Sequence, residues 1–261
     1  MSGVDPRGAV IVVTGAGSGI GRATALRYAE LGATVVSTDI DEVAAKSTAE
    51  ACKAIGGQAR SHVCDVADPD SVKELKAEVG RVDILVNNAG VGVGGSFLDT
   101  TEDDWTWLRS INLDGVVHGC RTFGAAMVEQ GHGQIVNIAS GAGYLPNRRL
   151  ATYCATKAAV VMFSRCLRAD LARHHVGVSV VCPGVINTPI LHNTRLRGSV
   201  VNEKDWLARA FRISHSPDAV AKAVERSSTR NREMTSVGFE TQLGYHALRR
   251  LPVLNGMVAR V

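Results

Sequence analysis

The strongest constraint on the fold of this 261-residue chain is an alternation that runs through most of its length. Short β-branched runs at 9–13 (AVIVV), 34–38 (TVVST), 59–63 (ARSHV), 83–87 (DILVN), 134–138 (QIVNI) and 177–181 (GVSVV) are separated by longer stretches with Ala, Leu and Val at helical spacing. A strand followed by a helix-length connector rejoins its sheet in parallel, through a right-handed crossover. Strands this continuously apolar are buried on both faces, so helices must cover both sides. With EMTSV at 233–237 as the last strand, the pattern predicts an α/β fold, a doubly wound parallel sheet of about seven strands with helices on both faces. Apolar residues make up 45% of the chain, and neither a Pro/Ser-rich linker nor a fixed-period repeat divides it, so a single domain over 1–261 is expected.

Signals at the joints agree. Asp41 is placed to cap the helix after the second strand, and Asp68 to cap the next one, with Pro69 in its first turn. Thr101 followed by Asp104 has the spacing of a capping box, Asp standing in for Glu. A long helix is expected from about 151 to 174. The stretch from 183 to 215 has no clean period, opens on Pro-Gly and exceeds an ordinary connector, so a substrate lid is expected over about 185–215.

Charge and composition exclude several classes. The net charge is +4 with scattered Lys and Arg, and only 5% of residues are aromatic, which disfavours nucleic acid. The six cysteines, at 52, 64, 120, 154, 166 and 182, include no CxxC pair, and are expected to be small buried hydrophobes in a reducing compartment. No metal site is expected. The N-terminus lacks the pattern of a signal peptide and nowhere do eighteen apolar residues run together, so no integral membrane segment and a cytoplasmic location are expected.

Two constellations carry chemistry. Gly15, Gly17, Gly19 and Gly21 crowd the turn between the first strand and a helix starting near Ile20. Such a turn lets backbone approach a pyrophosphate, and the helix N-terminus offers it free N–H groups. Asp39 ends the second strand, eighteen residues beyond Gly21, where a carboxylate can bind ribose hydroxyls and repel a 2′-phosphate. Neither Ser18 nor Ile40 is basic, which favours NAD as cofactor. Asp41 could serve in place of Asp39, and a lone strand-end acid is more often merely solvated. The second constellation is Tyr153 and Lys157, at i and i+4 on one helix face, thirteen residues after Ser140. A nearby ammonium favours the phenolate, as an acid/base working near neutral pH requires. Cys154, beside Tyr153 but pointing elsewhere, is read as structural.

With TGAGSGIG, Asp65-Val66, NNAG at 87–90, Asn112, Ser140, YCATK at 153–157 and PGVINT at 183–188 in this order, the chain resembles the short-chain dehydrogenase/reductase family over about residues 8–235. The resemblance implies a Rossmann-type sheet and a hydride transfer between NAD and a secondary alcohol or ketone. It implies that Asn112, Ser140, Tyr153 and Lys157 form a catalytic tetrad: a relay-water holder, a substrate orienter, an acid/base and a charge that also binds the nicotinamide ribose. It implies cofactor contacts from Gly15, Ser18, Gly19, Ile20 and Gly21 at the phosphates and from Asp65 and Val66 at the adenine. Asn88, Ala89 and Gly90 would flank the cofactor, and Pro183, Gly184, Val185, Ile186 and Thr188 would meet the nicotinamide end. A homodimer or homotetramer is expected. Many tetrameric members close on Asp-Gly-Gly after the last strand; here a tail over about 238–261 follows instead, as in members acting on apolar alcohols.

The segments expected to set specificity contain Val91, Val93, Phe97, Leu145, Leu150, Ile190 and Leu191, consistent with a bulky apolar small-molecule substrate. Glycines 92, 94 and 95 there are read as room or mobility. Arg148, Arg149, Arg195, Arg197, Arg209 and Arg212 could grip a carboxylate or phosphate, and are read instead as solvated loop charges; His192 is read as surface decoration. In the tail, Pro252 and Gly256 break any membrane-surface helix, so packing on the body or on a second subunit is expected. The rival readings are an NADP-dependent ketoacyl-type reductase and a non-catalytic NAD-binding sensor or scaffold.

Overall fold

The computed structural model describes residues 3–203 and 214–250. Its strands, in chain order, are β1 (Val10–Thr14), β2 (Thr34–Asp39), β3 (Gln58–Val63), β4 (Ile84–Asn87), β5 (Gly92–Gly94), β6 (Gly133–Ile138), β7 (Val176–Pro183), β8 (Thr194–Leu196) and β9 (Met234–Val237). Seven of them form the expected sheet, in the order β3-β2-β1-β4-β6-β7-β9, every pair parallel. Short β5 and β8 form a separate parallel ribbon in a region that the apolar runs did not mark.

The helices are α1 (Gly19–Glu30), α2 (Glu42–Ala54), α3 (Pro69–Val79), α4 (Glu102–Arg109), α5 (Gly115–Gln130), α6 (Ala151–Leu171), α7 (Pro217–Thr229) and α8 (Phe239–Arg250). Alternate strand residues feed two cores. Ile11, Val13, Val35, Ile84, Val86 and Val181 pack with Tyr28 and Ala25 of α1 and Val220 and Val224 of α7. Val12, Val36, Leu85, Ile135 and Val180 pack on the other side with Leu75 of α3, Phe123 and Met127 of α5 and Val160 of α6. Period-2 side chains on a doubly covered sheet require this division.

The capping residues do what their types allow. Asp41 accepts from the Ala44 N–H at 3.1 Å, and Asp68 from the Asp70 N–H at 2.9 Å ahead of Pro69. Thr101 and Asp104 exchange side-chain and backbone hydrogen bonds, both 3.1 Å, completing the box. Helix α6 gives way at Ala172 to a 3₁₀ turn that ends at His174, matching the expected end of the long helix.

Cys52, Cys64, Cys120 and Cys182 are buried as expected, and Cys154 is half-buried. Cys166 is exposed, a correction: it lies off the α6 stripe of Thr152, Thr156, Val160 and Ser164 that faces the body. Among the described residues, no helix is long and apolar enough to cross a membrane, and no three His, Cys, Asp or Glu side chains gather as a metal site. Residues 204–213 of the expected lid, with Arg209 and Arg212, and residues 251–261 of the tail, with Pro252 and Gly256, lie outside the described residues, as does the His192 side chain.

Candidate active site

The strand order reverses between β1 and β4, and a crevice opens there at the carboxyl ends of the strands, where such sheets take ligands. The glycine turn follows β1 into this crevice. Gly15 and Gly19 have φ of 62° and 51°, values that side chains other than glycine rarely tolerate. A Cβ at Gly21 would fall 2.1 Å from the Gly15 carbonyl oxygen. Ser18 stands extended at the N-cap of α1, and its side chain makes no hydrogen bond to the first turn. The N–H groups from Gly19 through Gly21 therefore remain available to an anion.

The segment after β4 splints this turn. Asn88 Nδ2 donates to the carbonyls of Thr14 at 2.8 Å and Gly15 at 3.1 Å, while Thr14 Oγ1 accepts from the Asn88 and Ala89 N–H groups. Asn87 lies beneath, donating to Asn137 at 2.9 Å, which in turn donates to Ser164 of α6 at 2.9 Å. At the end of β2, Asp39 Oδ2 accepts from the Gly17 N–H at 2.9 Å and Oδ1 from the Asp41 N–H at 3.1 Å. Asp39 thus borders the glycine turn, whereas Asp41 is occupied as the cap of α2. Asp65 and Val66 follow β3 at the same end: Asp65 Oδ1 accepts from the Ala67 N–H at 2.9 Å, and Val66 packs where α5 begins, at Gly115.

The residues that open the pocket's other half converge from separate elements. Tyr153 and Lys157 project from the first turns of α6, with Nζ 5.8 Å from the tyrosine ring centroid. Nζ donates to the Ile138 carbonyl at 3.0 Å. Lys157 is only 4% exposed, and burial brings its pKa down to about 8. The Tyr153 phenol faces the Ser140 hydroxyl. Burial holds the phenol above its ordinary value, and the Ser140 hydroxyl pulls the other way. The expected lowering by the Lys157 ammonium therefore does not prevail in this arrangement; the Ile138 carbonyl engages the ammonium and desolvation dominates. Ser140 Oγ also accepts from the Ala142 N–H at 3.1 Å.

Asn112 is fully buried within a π-helical turn, Ser110–Asp114, between α4 and α5. Such turns displace one residue inward and recur at functional sites. Its amide exchanges two 2.9 Å hydrogen bonds with the backbone of Val91. Gly90 sits between Asn112 and Lys157: a Cβ there would lie 3.3 Å from Asn112 Oδ1 and 3.6 Å from Nζ.

The segment after β7 closes the crevice from the far side. Gly184 donates to the Val237 carbonyl at 2.8 Å, and Ile186 bridges to His215 in parallel. Thr188 reaches the glycine turn, where a Cβ on Gly19 would meet its side chain at 3.1 Å. Pro183 forms the last rung of β7 with Val237, and half-exposed Val185 lies between it and the bridge. Helix α8 returns to the same place. Thr241 packs on Gly141, Gly244 on Leu145, and the Tyr245 ring meets Tyr144 edge-on at 5.2 Å.

Several readings of the substrate side need correction. Gly92 and Gly94 are buried and give closeness rather than mobility: a Cβ on Gly92 would sit 2.5 Å from Thr194 Oγ1 of β8. Phe97 is 61% exposed and packs edge-on against Trp105. Arg195 and Arg197 are not solvated loop charges, for both are paired with Asp104. Arg148 is exposed as expected. Sequence reasoning missed the Ile138 and Val91 backbone groups, which no residue type advertises, and Thr14, whose hydroxyl just ahead of the first glycine was a usable signal. Cys182, buried as expected, also neighbours Lys157: burial pushes its thiol up to about 12 while the Lys157 charge opposes the rise.

Comparison with known proteins agrees with this geometry. The short chain dehydrogenase family pattern matches residues 9–197. "Probable oxidoreductase EphD" of Mycobacterium tuberculosis is 42% identical over 98% of this chain, which spans 46% of that protein's length. A crystal structure of a short chain dehydrogenase/reductase from Burkholderia phymatum in complex with NAD is 32% identical, covers 99% of this chain and 97% of its own, and superposes with a TM-score of 0.87. A metagenomic short-chain oxidoreductase in complex with NADP is also 32% identical, covering 90% of this chain and 97% of its own, with a TM-score of 0.73. A glycine-rich turn at the start of α1, a switch-point crevice and a family match over most of the sheet lead to one conclusion: this chain belongs to the short-chain dehydrogenase/reductase family of oxidoreductases.

Proposed function

We propose that the protein is an NAD-dependent dehydrogenase that interconverts a bulky, apolar secondary alcohol and its ketone. The observation that carries this reading is the meeting of Tyr153, Ser140 and Lys157 beside the crevice that the glycine turn opens. Bound nicotinamide dinucleotide would exchange the hydride with the substrate carbon. The glycine turn and the first N–H groups of α1 fit its pyrophosphate, and Asp39, held against Gly17, fits its ribose hydroxyls while repelling a 2′-phosphate.

The chain's own residues supply the proton chemistry and the orientation. Tyr153 takes the hydroxyl proton during oxidation and returns it during reduction; Ser140, facing it, positions the substrate oxygen. Lys157 places a positive charge behind the phenol and would offer its remaining N–H groups to the nicotinamide ribose. Asn112 fixes the backbone of Val91, next to Gly90, which lies between Asn112 and Lys157. Asp65, Val66, Asn88, Ala89 and the backbone from Pro183 to Ile186 with Thr188 complete the cofactor cleft. Packing of Tyr144, Leu145 and α8 beside Ser140 supports an apolar substrate.

NADH formation from a panel of aliphatic, aryl, steroidal and 3-hydroxyacyl secondary alcohols, each with NAD⁺ and NADP⁺, tests the proposal. Turnover with NAD⁺ is expected, and Tyr153→Phe should lose it by roughly 10³-fold or more while still binding NAD in calorimetry. Retained turnover in that variant excludes the mechanism. The NADP complex of a relative keeps an NADP-dependent reductase as the second reading, and the same assay decides between them. Binding without turnover on any alcohol would favour a nucleotide sensor. A homodimer or homotetramer is expected in solution.

A further inference from the structure

Two arginines from an irregular segment converge on a carboxylate that has no exposure of its own. Asp104, in the first turn of α4, is fully buried. Its Oδ2 accepts from Arg197 Nε at 2.8 Å and its Oδ1 from Arg197 Nη2 at 2.7 Å, a two-pronged pair; Arg195 Nη1 adds a third bond at 3.3 Å. Arg195 also donates to Asp103 at 2.6 Å, and its guanidinium lies 4.0 Å from the ring centre of Trp107. Two-pronged charge-assisted pairs are the strong and directional ones, and a buried carboxylate stripped of its arginines would be left uncompensated.

The arginines belong to β8 and its next residue. Strand β8 pairs with β5 as Gly92↔Thr194, Val93↔Arg195 and Gly94↔Leu196, and the Arg197 N–H extends the ladder to the Gly94 carbonyl at 2.8 Å. At one end, β5 continues from Val91, which Asn112 holds by both backbone groups. At the other, Gly95 donates to the Arg149 carbonyl, and Gly94 faces Leu150, the residue just ahead of the helix that bears Tyr153. The ribbon therefore spans from Asn112 to the start of α6, and Asp104 holds its outer strand.

We infer that Asp104, acting through Arg195 and Arg197, is a positioning residue for the alcohol substrate: it clasps β8 onto β5 and so fixes the wall of the substrate cleft between Asn112 and Tyr153. This inference rests on the dehydrogenase reading above. The clasp shares no residue with the glycine turn or with Asp39, so its loss should act on the substrate and spare the nucleotide.

Asp104→Asn keeps the shape and an oxygen for the Thr101 N–H while removing the charge. Trypsin is applied to the NAD-bound protein, and cleavage after Arg195 and Arg197 is followed by mass spectrometry. The variant should be cut there roughly tenfold faster, with cleavage elsewhere unchanged. KM for the panel alcohol with the highest turnover should rise roughly tenfold, with kcat and the Kd for NAD within about twofold of wild type. Asp104→Asn/Arg197→Gln should be no worse than Asp104→Asn alone, because both break one contact. Equal cleavage of wild type and variant overturns the clasp; faster cleavage with unchanged KM, or with additive penalties, overturns its positioning role. If Asp104→Asn fails to fold, Arg197→Gln goes through the same measurements, with cleavage read after Arg195. Absence of turnover in the wild type would count against the dehydrogenase reading itself, and cleavage would still decide the clasp.

Discussion

Lys157 shows how a single side chain can be costly to the fold and necessary to the proposed chemistry. Moving its pKa from 10.5 to about 8 corresponds to roughly 3 kcal/mol spent in keeping a buried ammonium charged at neutral pH. The unfolded chain holds the extra proton between about pH 8 and 10.5, so this group makes stability rise with pH across that window. Lys157→Met is accordingly expected to melt no lower than wild type at pH 7 while losing dehydrogenase turnover, which calorimetry and the NADH assay would check together. Tyr153 gives the complementary pH signature. With its phenol held above the usual value, alcohol oxidation should accelerate as pH rises past neutral, and Tyr153→Phe should abolish that limb. At the cofactor end, Asp39→Ala should narrow discrimination against NADP⁺ by roughly tenfold or more, measured as the ratio of kcat/KM values. These residues were legible because type and spacing carried them. What was not legible was the balance on Tyr153, because burial and the Ile138 carbonyl are properties of the folded environment.

Among the elements, strands and caps followed directly from local pattern, since period-2 apolar runs and Asp or Thr ahead of a helix act over a few residues. Asp41→Ala should thus cost about 1 kcal/mol through its lost cap, without changing cofactor choice, in contrast to Asp39→Ala. The β5–β8 ribbon was not legible. Its strands are three residues each, and the pairing joins segments about a hundred residues apart by close approach and by charge. Gly92→Val, with a branched side chain forced against Thr194, should disrupt the ribbon and raise KM for the alcohol, measured against unchanged NAD binding. The clasp should withstand mild acid. Arg197 above all holds the Asp104 carboxyl well below its usual range, so its contribution is complete above about pH 4 and fades only as pH falls further. Tryptic protection at Arg195 is expected to be equal at pH 6 and pH 8 once rates are normalised to cleavage at other sites.

At the scale of the molecule, the doubly wound sheet was legible because helical connectors leave parallel crossovers as the ordinary solution, and the site then had to lie where the order reverses. The return of α8 onto the Ser140 loop was not, because nothing in the tail's sequence names its docking surface. The strand order has a further consequence, in time rather than in space. β7 finds its outer neighbour only in β9, one of the final elements of the chain, and β1 lies between partners that arrive early and midway. Every pairing is long-range, so folding should be slow, on the order of milliseconds to seconds or longer. During synthesis the β7 edge, buried along its whole length in the finished protein, must wait for residue 237 to emerge. The opposite edge, β3, has no such interval to survive; contrary to the expectation of apolar strands buried on both faces, it carries Arg60 and His62 and none of its residues is buried, as suits a strand whose outer side is never paired in the sheet. Chains arrested before Met234 are therefore expected to bind chaperones or aggregate through β7, whereas chains released after Val237 should not.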